Sequence, residues 1–194
     1  MTAPTAIGPP TNERWTWTVE AYDKAAEIGL FGPDPKVELL EGEVYTIAPT
    51  LPGHSTAVRK LARLVGRELD PGRWAVGSQT PVLLSDRSEP EPGVWIAKGD
   101  DDTYRRRQPG PHDLVLVVEV ADTSLTRDRE QKIPAYAAAG IPYAWLVSLP
   151  DKTITAYSSP VPAERRYEHA PVFHPGETVT HPPTGFTVDL AQLI

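Results

Sequence analysis

Glu119 interrupts a run of apolar residues that extends from Leu114 to Val120. Such a run predicts a strand that is covered on both faces, and an ionised carboxylate buried there without a partner would cost on the order of several kcal/mol. One interpretation is a structural ion pair with Arg129 or Lys132. The other is a metal ligand. Both interpretations require that another charged group reach the middle of this strand.

Other charged residues could lie close to Glu119 in the folded chain. Asp128 and Lys132 are four residues apart and would share one face of a helix, which could turn toward the end of the Glu119 strand. Glu38 and Glu43 lie on either side of a predicted hairpin turn at Gly42. Two or three carboxylates that hold Mg²⁺ or Mn²⁺, with a lysine that stabilises developing charge, could hydrolyse a phosphodiester at neutral pH.

Composition limits the kinds of protein and site. A chain of 194 residues suits one domain, which we expect to span residues 13–194 after a loose N-terminal arm of residues 1–12. The absence of cysteine excludes disulfides, thiolate zinc sites and cysteine nucleophiles. A formal net charge of −7 argues against a surface that is basic throughout, although a local basic groove remains compatible with it. With no membrane-spanning or signal-peptide pattern, we expect a cytoplasmic protein.

The predicted elements build a mixed sheet flanked by helices, an α/β or α+β fold. A strand at 114–120, a helix at 125–139 and a strand at 143–147 form a crossover unit, whose strands should be parallel. Pro134 should kink that helix near Lys132. The other predicted elements are helices at 19–28 and 55–69, a hairpin at 36–47, strands at 74–84 and 94–97, and an antiparallel edge from segments at 153–157, 166–171 and 186–190.

Five separated blocks give the chain a resemblance to a known family. They are VELLEGEVYTIAP at 37–49, SQTPVLL at 78–84, SEPEPGV at 88–94, LVVEVADTSLTRDREQK at 116–132 and YAAAGIPYAWLV at 136–147. In their order and spacing they resemble the Uma-type restriction endonucleases, a bacterial branch of the PD-(D/E)XK nuclease superfamily. The resemblance implies a restriction-endonuclease-like fold and hydrolysis of DNA with Mg²⁺ or Mn²⁺.

The same resemblance assigns roles to several acids and one lysine. It implies that Glu38 or Glu43 supplies the first acid, that Glu119 supplies the acid of the third motif, and that Lys132, with Asp128 beside it, replaces a lysine that the superfamily carries two residues after that acid. Glu119 and Glu43 would then be metal ligands.

The second motif departs from the family pattern. Where the family has Pro-Asp at the start of a short strand, this chain has Pro92 and Gly93. Glu91 lies two residues earlier and could reach the same face as a substitute metal ligand. The interpretation that we favour instead makes Glu89 and Glu91 solvated loop acids.

Further residues are candidates for binding substrate. His54, at the start of the basic helix, could contact a phosphate, and Gln79, in a strand beside the second motif, could hydrogen-bond a phosphate or a ligating carboxylate. Arg105 and Arg106 belong to a basic loop that could grip a nucleic-acid backbone.

Two hypotheses for function follow. One is a metal-dependent endonuclease acting on DNA, and the other is an inactive relative that binds nucleic acid or a protein. A homodimer is compatible with a sheet edge and exposed tryptophans that need covering.

Overall fold

A computed structural model of the chain describes residues 14–33, 36–47 and 51–194. The predicted arm at residues 1–12 lies outside these residues. Within the described ranges, no helix combines the length and the apolar content that crossing a bilayer requires.

The first elements are a capped helix and a hairpin. Helix α1 spans Val19–Glu27, and the Thr18 hydroxyl caps it by accepting a hydrogen bond from the Ala21 N–H at 3.3 Å. Strands β1 (Val37–Leu40) and β2 (Glu43–Thr46) are antiparallel. Their two-residue turn has positive φ at both Glu41 and Gly42, as a type I′ hairpin requires. The hairpin predicted from the sequence is thus confirmed.

Helix α2 spans Pro52–Glu68 and begins three residues earlier than the apolar spacing predicts. Proline at the first helical position explains the earlier start, because a residue there needs no backbone N–H. One face of α2 buries Ala57, Val58, Leu61 and Val65.

A seven-stranded mixed sheet forms the centre of the molecule. Its main path runs in sequence order through β3 (Trp74–Ser78), β4 (Val94–Lys98), β5 (Leu114–Ala121), β6 (Tyr143–Ser148), β7 (Thr153–Val161) and β8 (Arg166–His169), and β9 (Val172–Phe173) pairs with β7. The pair β5 and β6 is parallel, as the predicted crossover requires, and the other pairs are antiparallel.

Two expectations about strands are wrong in part. The strand predicted at 74–84 ends at Ser78, and the chain then runs through Pro81 without pairing as a named strand. The segment at 186–190 does not extend the central sheet. It contributes β11 (Thr187–Asp189), which pairs with β10 (Thr178–Thr180) in a separate two-stranded sheet.

The helix between β5 and β6 is interrupted, as Pro134 predicts. It consists of α3 (Leu125–Arg127), a π-helical turn over Asp128–Lys132, and α4 (Ile133–Ala138). The N–H of Ile133 donates to the carbonyl of Asp128, five residues back. Pro134 cannot donate to the carbonyl four residues back, and its ring crowds that carbonyl, so the turn before it widens. The π-turn carries both Asp128 and Lys132.

Each face of the sheet covers a separate apolar cluster, and β5 contributes to both. Val118 and Val120 belong to the cluster that α2 covers, whereas Val117 and Ala121 belong to the cluster that contains residues of α4. Because side chains alternate along a strand, Glu119 points toward the α4 face. This alternation decides which helix can supply its partner.

Candidate functional site

A cavity of about 100 Å³ opens where β5 ends, beside the start of β4. Its walls come from β1, the start of α2, the segment before β4, the end of β5 and the π-turn. The sequence candidates that line it are Glu38, Glu119, Asp128, Lys132, Glu91, His54 and Gln79, together with Gly93. The structure therefore gathers most of the predicted residues around one space.

Glu119 is buried, with 4% of its surface exposed, and two side chains from the following helix contact it. The ammonium Nζ of Lys132 lies 2.7 Å from Glu119 Oε1, and the Tyr136 hydroxyl donates to the same oxygen. Of the two ion-pair partners considered from sequence, Lys132 is correct. Arg129 is wrong, because its guanidinium lies 3.5 Å from Asp151 instead.

Lys132 connects three parts of the site. Besides its contact with Glu119, its Nζ lies 3.4 Å from Glu38 Oε2 and donates to the main-chain carbonyl of Glu91 at 3.0 Å. The side chain is 4% exposed. One ammonium group thus holds the end of β5, the hairpin and the segment before β4 together.

Of the two acids of the hairpin, Glu38 lines the cavity and Glu43 does not. Glu38 is 3% exposed, and its carboxylate accepts hydrogen bonds from Arg127 and from the Glu91 N–H, the latter at 2.9 Å. Glu43 lies away from the cavity, where it pairs with Arg14 at 2.5 Å and accepts from the Tyr45 hydroxyl at 2.7 Å. The prediction of Glu43 as a catalytic or metal-binding residue is not supported by this placement.

Arg127 is a residue of the site that the sequence did not reveal. Its guanidinium stacks over the Tyr45 ring at 4.5 Å and pairs with Glu38. Its Nε is buried and has no hydrogen-bond partner within the described part of the chain. Arg127 and Glu38 are 89 residues apart, and no local spacing predicts that contact.

Asp122 is a further acid of the site without a sequence signal. It follows the last residue of β5 and lines the cavity.

The acids before β4 are less solvated than the sequence interpretation assumed. Glu89 is 5% exposed, its carboxylate accepts from the Gln108 side chain, and its N–H donates to the Leu39 carbonyl. Glu91 is half-buried and lines the cavity. The interpretation of both as solvated loop acids is therefore wrong. Asp128 is also buried, and it accepts from the Ser124 hydroxyl at 2.6 Å.

The cavity carries more negative than positive charge. Five carboxylates line it (Glu38, Glu91, Glu119, Asp122 and Asp128), against the two cations Arg127 and Lys132. With every group ionised, the walls have a surplus of three negative charges.

The pKa values of these groups reflect both burial and that surplus. Burial raises the pKa of Glu119, of Asp128 and of Glu91 above their usual values. Burial acts in the same direction on Glu38, but the charges of Lys132 and Arg127 outweigh it and lower the pKa of Glu38. For Lys132, burial lowers the pKa, but the surrounding carboxylates outweigh burial and raise it. Lys132 is therefore charged, and Glu38 is more firmly ionised than Glu91, Glu119 and Asp128, whose pKa values are raised.

His54 and Gln79 stand at the rim. His54 lies in the first turn of α2, and its buried Nδ1 has no hydrogen-bond partner among the described residues. Gln79 follows β3 instead of lying within it, is exposed, and has a positive φ of 49°. Its N–H donates to the Gly93 carbonyl at 3.2 Å. Both side chains are thus positioned where a ligand in the cavity would pass.

Arg105 and Arg106 are not brought to this cavity. They lie in the connection that leaves β4 after Lys98 and returns to β5 at Leu114. Since β4 and β5 are antiparallel, with Val94 opposite Val118, this connection is at the other end of the strands from the cavity. Both arginines are exposed, and the position of the cavity does not support a role for them at the reacting phosphate.

Gly93 leaves little room for a side chain. A Cβ added there would lie 3.1 Å from the Val118 carbonyl oxygen and 3.4 Å from both the main-chain nitrogen and a methyl group of Val120. These atoms flank Glu119 on β5. Glycine supplies no carboxylate at position 93, and its backbone packs closely against β5.

The carboxylate oxygens around the cavity are of the ligand type that hard divalent cations bind. Carboxylate oxygens are the ligands that Mg²⁺ and Mn²⁺ prefer. Within residues 14–33, 36–47 and 51–194, however, no three His, Asp or Glu side chains are grouped closely enough to hold a metal ion. Lys132 occupies the space between Glu119 and Glu38, so a metal would require side chains to shift.

Comparison with known proteins places this arrangement in a family. A family model described as "Putative restriction endonuclease", Uma2, matches residues 19–191. A crystal structure of a protein from Anabaena variabilis, described as a putative nuclease belonging to DUF820, aligns with a TM-score of 0.70 at 15% sequence identity, over 91% of this chain and 97% of that chain. No curated protein gives a significant match. The central mixed sheet and its helices thus have the fold of that Anabaena variabilis protein, and the chain belongs to the Uma2 family of putative restriction endonucleases.

Proposed function

We propose that this protein hydrolyses phosphodiester bonds in DNA with Mg²⁺ or Mn²⁺. The observation that carries the proposal is the charge of the cavity. A phosphodiester is an anion, and the five carboxylates of the walls outnumber the two cations, so the walls repel a phosphodiester to the extent that these acids are ionised, unless a divalent cation is bound first. Membership in a family described as restriction endonucleases supports a nucleic acid as the substrate.

Glu119 and Glu91 are the residues that would hold the ion. Glu91 is half-buried, lines the same cavity and lies two residues before Gly93, so it is the nearest acid in the chain to the missing aspartate. A bound divalent ion would polarise the phosphate and lower the pKa of a bound water. Burial raises the pKa of both acids, and a bound cation would lower these pKa values by stabilising the ionised carboxylates.

The two cations that line the cavity have different tasks in this proposal. Lys132 would supply an ammonium group that stabilises the charge developing on the phosphate, if a metal ion took its place as the partner of Glu119. Arg127 keeps Glu38 ionised and oriented through their salt bridge, with the Tyr45 ring as a support. Glu38 in turn holds Lys132 at the cavity.

The test is a plasmid-cleavage assay with Mg²⁺ or Mn²⁺, run beside calorimetric titration of the metal. We expect cleavage that needs the metal, and we expect Glu119→Ala and Glu91→Gln to weaken metal binding and to abolish cleavage. Glu130→Gln is the matched control, since Glu130 lies in the same π-turn but is exposed and does not line the cavity. Cleavage that survives Glu119→Ala would refute the assigned site.

A second function has one specific observation in its favour. Lys132 already contacts both Glu119 and Glu38, while position 93 supplies no carboxylate, so an internal cation could have replaced the metal permanently. The protein would then bind nucleic acid or a protein without hydrolysing DNA. Absence of Mn²⁺ binding at millimolar concentration, together with DNA binding in EDTA, would favour this second function over the first.

A further inference from the structure

The exposed face of α2 carries a row of cations that the site does not use. These are the four lysine and arginine residues of the helix, Arg59, Lys60, Arg63 and Arg67, which we call the α2 stripe. At about 100° of rotation per residue, the four lie within an arc of about 100°. That arc is opposite the buried residues of the helix, and the helix has one acid, Glu68, which lies outside it.

The α2 stripe is unpaired, unlike several other surface cations. None of its four members makes a salt bridge within the described part of the chain. Arg59 donates to the Thr56 hydroxyl at 3.2 Å, and Lys60 donates to the main-chain carbonyl of Ile194 at 3.3 Å. By contrast, Lys24 and Arg166 pair with carboxylates. In a chain of net charge −7, an unpaired basic strip suits an anionic partner.

One member of the stripe, Lys60, lines a groove that adjoins the cavity. An open groove of about 500 Å³ runs beside the first half of α2, and both Thr56 and Lys60 line it. Asp122 lines this groove and the cavity alike, so the two spaces adjoin. From His54 at the cavity to Arg67, the helix rises by about 20 Å, which is several nucleotides of a DNA strand.

We propose that the α2 stripe binds the sugar-phosphate backbone of the DNA strand that leaves the cavity. The proposal rests on the proposed function, because it takes DNA as the substrate. Binding of this kind is electrostatic and independent of base sequence, since contacts between these cations and phosphates carry no sequence information. In this proposal the strand passes from the cavity through the groove beside Thr56 and Lys60, and Lys60 leads to the other three cations of the helix.

The test compares a 20-nucleotide single strand with a trinucleotide, since only the longer molecule can occupy both the cavity and the stripe. Affinities are measured by fluorescence anisotropy at several salt concentrations, with and without Mn²⁺. For Arg59→Ala/Arg63→Ala/Arg67→Ala we expect the 20-mer to bind about tenfold more weakly and the salt slope to flatten by about two. The trinucleotide should bind as before. The same three positions changed to lysine should restore most of the affinity.

The matched control is Lys24→Ala/Arg165→Ala/Arg166→Ala, which changes the net charge equally at three salt-bridged cations. We expect this control to bind the 20-mer like the native protein. Equal losses in both triple variants, or no loss in the α2 variant, would overturn the stripe. Unchanged affinity with intact cleavage leaves the proposed function standing and removes the stripe. If the 20-mer binds through the three arginines but is not cleaved with any metal, the stripe stands and the proposed function is refuted.

Discussion

The Lys132 ammonium lies 2.7 Å from Glu119 Oε1 and 3.4 Å from Glu38 Oε2, at a point where three segments of the chain meet. All three side chains are almost completely buried. Removing one member of such a group leaves an uncompensated charge in a poorly solvated place. The group should therefore be sensitive to single substitutions and less sensitive to balanced ones.

A double-mutant cycle measures this coupling. Lys132→Met should reduce the free energy of unfolding by about 3–5 kcal/mol, because the buried Glu119 loses the cation that contacts it and Glu38 keeps only Arg127. Combining it with Glu119→Gln should cost less than the sum of the single changes, by about 1–3 kcal/mol. Urea unfolding at neutral pH is the measurement, and the exposed Lys152→Met is the control. Additive losses would show that the pair is not coupled.

Arg127 and Arg129 give a comparison between neighbours. Arg127→Leu should destabilise the protein by about 2 kcal/mol, because Glu38 loses a charge-assisted hydrogen bond. Arg129→Leu should change stability by about 0.5 kcal/mol or less, since its contact with Asp151 is half-exposed. Chemical denaturation of both variants tests the difference. Equal effects would contradict a positioning role for Arg127.

Two substitutions of Gly93 separate the effect of a larger side chain from the effect of an added negative charge. Gly93→Ala should cost about 1 kcal/mol, because its Cβ would lie 3.1 Å from the Val118 carbonyl oxygen. Gly93→Asp should be less stable still without metal, since it adds a charge to an acidic cavity. Mn²⁺ should then raise the melting temperature of the aspartate variant more than that of the alanine variant. Identical metal responses would mean that position 93 does not face the metal-binding space.

His181 should make stability depend on pH. It is fully buried, its Nε2 lies 3.1 Å from the Val115 carbonyl oxygen, and its Nδ1 lies 2.8 Å from the Thr184 hydroxyl. Burial lowers the pKa of His181 to about 4, from an ordinary value of 6.5. Between these values the unfolded chain binds a proton that the folded chain does not. The contribution of His181 to the free energy of unfolding is therefore fully present above pH 6.5 and is lost as the pH falls toward 4.

The size of that loss is about 3 kcal/mol by linkage. Unfolding free energies of the native protein and of His181→Gln, measured from pH 7 to pH 4, isolate the contribution of this residue. The native protein should lose more stability over that range than the variant. Parallel curves would show that His181 is not buried in its neutral form.

Most of the central sheet and its helices could be predicted from the sequence, because their signals are local. The apolar runs of β5 and β6 predict buried strands, and the spacing of Val58, Leu61 and Val65 predicts α2. The late strands were harder. Short segments such as β11 pair equally well with any edge, and only long-range packing selects β10 as the partner.

Some features of the candidate site could likewise be predicted from the sequence, whereas others depend on tertiary packing. From the sequence alone, Glu119 needed a partner because of its apolar neighbours, and the spacing of Asp128 and Lys132 placed a lysine on the following helix. Tertiary structure decided that Glu38 and not Glu43 belongs to the cavity and that Arg127 joins them. It also left Arg105 and Arg106 at the far end of the strands. The reason is physical: period and composition act over a few residues, whereas contacts between residues 89 positions apart depend on how whole elements pack.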